Sequence, residues 1–335
     1  MKIDKFDLDN KILIIAEIGN NHEGSYPLAE KMIGLAADAG ADAVKFQTFI
    51  PEKLVSSFDT KRIEQLSKFQ LKKNDFEKLA QVAANKNVMF LSTPFDIDSV
   101  LFLKNLVPAF KIASGDNNFY PLMDAIARTG KPTIMSTGFM EIEGIKKSAN
   151  FVKRIWNKNG IKQELALLHC VSVYPTLPEL ANLVAIKELE HIVKTVGYSD
   201  HTVGIETAVL SVAVGARIIE KHFTIDNNYS KFHDHKLSAN PLDFKKMVDR
   251  IRIVKKMMGK GKKTPNANEL RNKIISRRSI VAKKELPFGH IIRFDDFDWV
   301  RPEDGLSPGS EEQLLGKSLS RKIRKGQIIS LEDVN

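Results

Sequence analysis

The sequence predicts an α/β protein, a closed (β/α)8 TIM barrel followed by a small, mostly β domain. Three observations carry this. Roughly the first 260 residues alternate β-branched apolar runs with amphipathic helical stretches, the grammar of βα units on a parallel sheet. Eight such runs occur, the number that closes a barrel. Nearly every run also turns polar at its C-terminal end, and in a barrel those ends share one face, where barrel enzymes carry their chemistry. An open doubly wound sheet is the alternative arrangement of the same units.

The elements follow in order. "KILIIAEIG" is the first strand; Ser25 then caps a helix in which Leu28, Met32, Leu35 and Ala39 recur at helical spacing, and Gly40 stops it. "DAVKFQT" is the second strand, and Asn74 with Glu77 three residues later reads as a capping box for the helix that bears Leu79, Val82 and Ala83. "VMFLSTPF", "AFKIASGD", "PTIMSTG", "LALLHCV", "TVGYSDHT" and "RIIEKHFT" complete the set. Helices are expected over 97–105, 120–129, 141–158, 178–192, 204–216 and 241–257. The barrel is therefore assigned to 1–262. A polar, Pro-containing linker is expected over 263–276, and a small domain of short strands with turn signals over 277–335. So small a unit sits near the lower limit of independent stability and gains from docking on a barrel or a second chain.

Composition narrows the function. With 335 residues, 43% of them hydrophobic, the chain can bury a large core. The single cysteine, Cys170, excludes a disulfide framework or a Cys-rich zinc site, so any metal must use His and carboxylate. No charged-then-apolar leader is read at the N-terminus, and no apolar run reaches the roughly 18 residues of a membrane span, so cytoplasmic residence is expected. The formal charge of +10 admits nucleic acid, an anionic surface or an acidic substrate. The lysines of "KKMMGKGKK" have no interleaved aromatics and read as a solvated helix end and linker.

The polar strand ends supply the candidate chemistry: Glu17, Lys45 and Gln47, Ser92 and Thr93, Ser114 and Asp116, Ser136 and Thr137, His169, Asp200 and His201, Lys221 and His222. Lys45 and Lys111, with hydroxyls from Thr93, Ser114 and Ser136, offer cations and neutral donors to one phosphate, although no Gly-rich phosphate loop is present. Ion pairs of the two lysines with Glu17 and Asp116 are the competing reading. His201 and His222 end adjacent strands, and two imidazoles plus a carboxylate can hold Mn2+, Mg2+ or Zn2+ with positions left open. Asp234 in "KFHDHKLSAN", flanked by His233 and His235, is the candidate carboxylate; a purely structural loop is the alternative.

Taken together, "AEIGNNHEGS", "AVKFQT", "FLSTPFD", "KIASGD", "MSTGF", "HCVSVYPT", "GYSDHT", "EKHFT" and "WVRPEDGLSP" resemble the sialic acid synthase family, which includes the N-acetylneuraminate, legionaminic and pseudaminic acid synthases. The likeness spans almost the whole chain, and its C-terminal part resembles the family's antifreeze-like (SAF) domain. It implies condensation of phosphoenolpyruvate with N-acetylmannosamine or a related acetamido sugar to a nine-carbon 2-keto acid and phosphate. It also implies a divalent ion, Mn2+ foremost with Mg2+ or Co2+ admissible, on residues matching His201 and His222. Phosphoenolpyruvate contacts fall on Lys45, Thr93, Lys111, Ser114 and Ser136. Glu17 and Tyr174 match positions that meet the sugar or shape the site, and Asp234 matches a residue near the metal's water. Asp116 stands where relatives often have Glu, and Arg301 matches an arginine that one subunit extends into its partner's barrel, implying a domain-swapped homodimer.

Three departures from the family pattern stand out: Ser172 replaces a common Asn, "NNYSKFHDHKLS" replaces a Pro-Gly-Pro run, and Glu303 and Asp304 stand where Gly is common. They leave the acceptor open between N-acetylmannosamine and the 2,4-diacetamido-6-deoxy sugars of the legionaminic and pseudaminic branches. Two competitors remain. One is another phosphoenolpyruvate-dependent 3-deoxy-keto-acid synthase, whose phosphosugar acceptor calls for a second basic cluster at the barrel mouth. The other is a binding protein for ice, glycan or nucleic acid.

Overall fold

A computed structural model describes residues 1–259 and 261–335, which form two units, Met1–Gly259 and Lys260–Asn335. In the first, eight parallel strands run β1 (Leu13–Gly19), β2 (Ala43–Thr48), β3 (Met89–Pro94), β4 (Phe110–Ile112), β5 (Thr133–Ser136), β6 (Leu165–Cys170), β7 (Thr195–Asp200) and β8 (Ile218–His222). Each pairs with its sequence neighbours, and β8 pairs with β1, while β3 and β4 lie side by side to complete a nearly closed ring. The strands read as continuous apolar runs because both faces are covered.

The pleat sorts each run. Ile14, Ala16 and Ile18 face the helices, whereas Leu13 and Ile15 join Ala43, Leu91, Ile134, Leu168 and Ile218 inside the barrel. That inner layer is sealed by something the sequence reading did not anticipate. A short N-terminal hairpin, Lys2–Ile3 against Phe6–Asp7, buries Met1, Ile3 and Leu8 among the inner residues.

Most helices stand where periodicity puts them, with three differences. Ser25 caps the first helix as expected, accepting from Leu28 N–H at 3.4 Å, and Gly40 ends it at φ +90°. The helix Lys73–Asn85, however, starts before Asn74; its box is made by Asp75, which accepts from Lys72 N–H at 3.2 Å, so the Asn74–Glu77 reading is replaced. The segment 178–192 is not one helix but two 3-10 turns, Pro178–Leu180 and Leu183–Ala185, and a short helix, Ile186–Leu189. Asn182 between them adopts φ 43°, a left-handed conformation that breaks the helix. Two additional helices, Pro51–Leu54 and Thr60–Phe69, stand between β2 and the helix Lys73–Asn85.

In the second unit, the stretch read as a linker carries a helix, Ala267–Ser276, held by a capping box between Asn266 and Glu269. Beyond it Ser279–Ala282 pairs antiparallel with Phe297–Val300. Isolated bridges such as Leu286 to Ile323 and Leu319 to Val334 extend the β framework around Ile280, Phe297, Leu314 and Ile329. Lys260, within the lysine-rich run, lies outside the described residues. Among the described residues no helix is long and apolar enough to cross a membrane.

Candidate active site

The inward row that begins with Leu13 and Ile15 continues to Glu17, and the same step on other strands delivers Lys45, Thr93, Lys111, Ser136 and Cys170. Above the apolar layer these groups line a cavity of about 290 Å3 at the C-terminal end of the barrel. The floor is an ion network. Lys45 Nζ lies 2.7 Å from Glu17 Oε2 and donates to Thr93 Oγ1 at 3.0 Å. Lys111 Nζ donates to Ser136 Oγ at 2.7 Å. Between the lysines sits Glu220, 3.6 Å from Lys45 and 3.5 Å from Lys111, accepting from Ser199 Oγ at 2.9 Å. Lys45 is thus ion-paired with Glu17, as the competing reading had it, and it also lines the cavity. Lys111 does pair with a carboxylate, but with Glu220 rather than Asp116.

Burial and pairing set the protonation of this floor. Burial raises the Glu17 carboxyl, and Lys45 beside it only partly offsets this. Burial would raise Glu220 too, yet Lys111 and Lys45 pull it down to about 2. Lys45 is held above the usual lysine range by Glu17 and Glu220 against the opposing effect of burial, whereas burial wins at Lys111 and lowers it.

Over the floor stand the two imidazoles. The rings of His201 and His222 are 5.5 Å apart, and Tyr174 packs its ring 4.1 Å from His201. His201 Nδ1 donates to Val171 O at 2.8 Å, which leaves Nε2 as the nitrogen with a free lone pair. His222 is buried, and burial together with His201 pushes it well below the ordinary histidine range, so it is neutral; its Nδ1 has no hydrogen-bond partner. Asp234 Oδ2 lies 4.0 Å from that nitrogen, and Asp234 Oδ1 is 2.9 Å from His233 Nε2. Two imidazole nitrogens with a carboxylate behind them suit a borderline divalent ion that keeps open positions. Among the described residues no three His, Cys, Asp or Glu side chains already form a closed metal cluster.

Several expected groups lie elsewhere. Asp200 and Lys221 point away from the cavity and form a fully buried ion pair at 2.9 Å behind the strands. His169 turns to Ala181 O, Thr137 to Leu168 O, and Ser92 to Phe46 O and Thr48. Asp116 ends the 3-10 turn Ser114–Asp116 and is not among the cavity-lining residues; burial raises its carboxyl to about 6, and its Oδ2 is unpartnered. His235 is turned from the imidazole pair toward Thr224 and Glu23. Arg301 is exposed in the C-terminal unit. Ser114 and Ser172 do line the cavity, and backbone of the loop after β5 reaches them because residue 138 is glycine: a Cβ there would lie 2.2 Å from Ser172 Oγ.

Glu220 and Ser199 are the groups of this floor that sequence reasoning did not single out. The signal was period two. With His222 inward, residue 220 must also face in and residue 221 must face out.

Fold and cavity together define the class: a (β/α)8 barrel with an anion-suited floor at the C-terminal ends of its strands, and a separate small β unit. Residues 32–263 match the NeuB family model and residues 277–335 match the SAF domain. The chain belongs to the NeuB family. It is 38% identical over 335 residues to the N,N'-diacetyllegionaminic acid synthase of Campylobacter jejuni, covering 95% of this chain and 99% of that one. It is 36% identical to a pseudaminic acid synthase of Campylobacter jejuni, with 99% of each covered. Among solved structures, the N-acetylneuraminic acid synthetase of Leptospira borgpetersenii in complex with citrate superposes with a TM-score of 0.74 at 37% identity, covering 79% of this chain and 90% of that one.

Proposed function

We propose that this chain is a nonulosonic acid synthase that condenses phosphoenolpyruvate with an acetamido-mannose-type sugar, releasing phosphate. The observation that carries the reading is the floor: Lys45 and Lys111 beside Thr93, Ser114 and Ser136, in the same cavity as the His201 and His222 imidazoles. Ammonium and hydroxyl donors suit a phosphate and a carboxylate on one small molecule. The open-chain sugar enters from the mouth, where Phe69, Phe95, Phe139 and Phe232 present apolar surface to N-acyl and methyl groups. Among the described residues lining the cavity, Arg62 is the one Lys or Arg besides the two floor lysines, which supports an acceptor without its own phosphate.

The residues then divide the work. His201, His222 and Asp234 are the proposed holders of a divalent ion, Mn2+ foremost, which when bound polarises the sugar aldehyde. The floor fixes phosphoenolpyruvate so that its methylene carbon meets the aldehyde carbon and forms the new C–C bond. Positive charge develops at the carbon bearing phosphate, next to the Glu17 carboxylate. Water adds there, and the tetrahedral adduct expels inorganic phosphate, closing the balance of phosphoenolpyruvate, sugar and water against keto acid and phosphate. Phosphate release from the purified protein with phosphoenolpyruvate is expected with N-acetylmannosamine or a 2,4-diacetamido-6-deoxy sugar, and to depend on added metal. No release with either sugar, or release only with a 6-phosphosugar, contradicts the proposal.

On the same reading the protein is a homodimer in which Arg301 of one copy serves the barrel of the other. Arg301→Ala is expected to raise the KM for the sugar about tenfold or more, with the dimer intact by sedimentation. A fully active monomer contradicts it.

A further inference from the structure

We infer that Glu220 is a positioning residue that holds Lys45 and Lys111 at the spacing at which both ammonium groups reach one phosphoenolpyruvate. The inference rests on the synthase reading above and assigns it a residue outside the motifs' expected contacts.

Glu220 does not compete with the substrate for the lysines' donors. Its oxygens lie 3.6 Å from Lys45 Nζ and 3.5 Å from Lys111 Nζ, beyond ordinary hydrogen-bond length. The hydrogen bonds are elsewhere: Lys45 to Glu17 at 2.7 Å and Thr93 at 3.0 Å, Lys111 to Ser136 at 2.7 Å and to Ile112 O at 3.4 Å. An ammonium has three N–H groups. Each lysine thus keeps a donor for the substrate while the carboxylate attracts both from a distance.

Glu220 is itself fixed. Cross-strand register sets it opposite Ser199, whose hydroxyl donates to Oε1 at 2.9 Å, and its Oε2 is buried with no hydrogen-bond partner. The two lysines depend on it unequally. Lys45 has Glu17 as a second carboxylate, but among the described residues no other carboxylate lies within 4 Å of Lys111. Without the charge at position 220, Lys111 becomes a buried cation beside Lys45 with nothing to offset it, and the side chain must withdraw or shed its proton.

The sign of the effect decides the matter. If Glu220 were only a neighbouring negative charge, removing it from an anion site would tighten phosphoenolpyruvate. As a positioning residue, its loss weakens that substrate. In the full chain, Glu220→Gln is expected to raise the KM for phosphoenolpyruvate by about tenfold or more, with kcat falling less than KM rises and the KM for the sugar unchanged. Ser199→Ala, which releases the carboxylate but keeps its charge, is expected to move the same KM in the same direction by a few-fold. An unchanged or lowered phosphoenolpyruvate KM in Glu220→Gln overturns the inference, as does a loss confined to kcat. Should Glu220→Gln fail to fold, Ser199→Ala decides alone, and an unchanged KM there overturns it. A wild-type protein that releases no phosphate from phosphoenolpyruvate removes the synthase reading and this inference together, whereas an active wild type with an indifferent Glu220→Gln removes only the inference.

Discussion

His222→Ala is expected to abolish metal-dependent turnover, lowering kcat by at least about a thousandfold. The size follows from what the position offers. His222 is buried and neutral, and its Nδ1 has no hydrogen-bond partner, so its lone pair is uncommitted. The neighbouring imidazole contributes one nitrogen only, because Val171 O occupies the other at 2.8 Å. Alanine therefore halves the nitrogen donors of the proposed ion site. Lewis-acid support of a carbonyl contributes several kcal/mol, and each 1.36 kcal/mol is a factor of ten, hence the estimate of about three orders of magnitude. The measurement is phosphate release during a Mn2+ titration of chelator-treated protein, with calorimetric Mn2+ binding as a second readout. A variant that keeps wild-type turnover in chelator refutes the assignment.

The largest stability effect is expected at the adjacent residue. Lys221→Met should cost about 3–5 kcal/mol, read from urea denaturation of the purified protein. Lys221 and Asp200 are both fully buried, 2.9 Å apart, and Lys221 also donates to Thr202 O at 2.5 Å. Asp200 Oδ1 accepts from Thr202 N, Thr202 Oγ1 and Thr207 Oγ1, so the ammonium offsets a charge that the methionine would strand. Adding Asp200→Leu should recover part of the loss, since removing both charges is far cheaper than removing one; the freed threonines prevent full recovery. A single-variant loss under about 1 kcal/mol would mean that the carboxylate finds water, against its burial. The pair matters to chemistry through place alone: it ties β7 to β8 immediately beside the residues that turn His201 and His222 inward.

These same strands separate what the sequence reveals from what it hides. All eight barrel strands lie within the apolar runs that announced them, because a strand covered on both faces must be apolar almost throughout. Glu17, Lys45, Thr93, Lys111, Ser114, Ser136, His201 and His222 do meet at one cavity. What composition at a strand end does not reveal is which way each side chain faces. Treating "EKH" as a polar cluster put Lys221 at the site and left Glu220 out, although strict alternation from His222 orders them the other way. Asp116 failed for a different reason: the chain leaves β4 as a 3-10 turn after Ala113, and alternation no longer governs direction there. The broken segment 178–192 was illegible because it hinges on one left-handed asparagine, and the N-terminal hairpin because strands of two residues carry no period.

That hairpin adds a second stop below a barrel layer that is already packed. With Met1, Ile3 and Leu8 packed at one end, the cavity that holds the lysines lies at the other, lined there by Phe69, Phe95, Phe139 and Phe232. On the proposed reading, the compound that rests on the floor then arrives before the sugar, which binds nearer the phenylalanines.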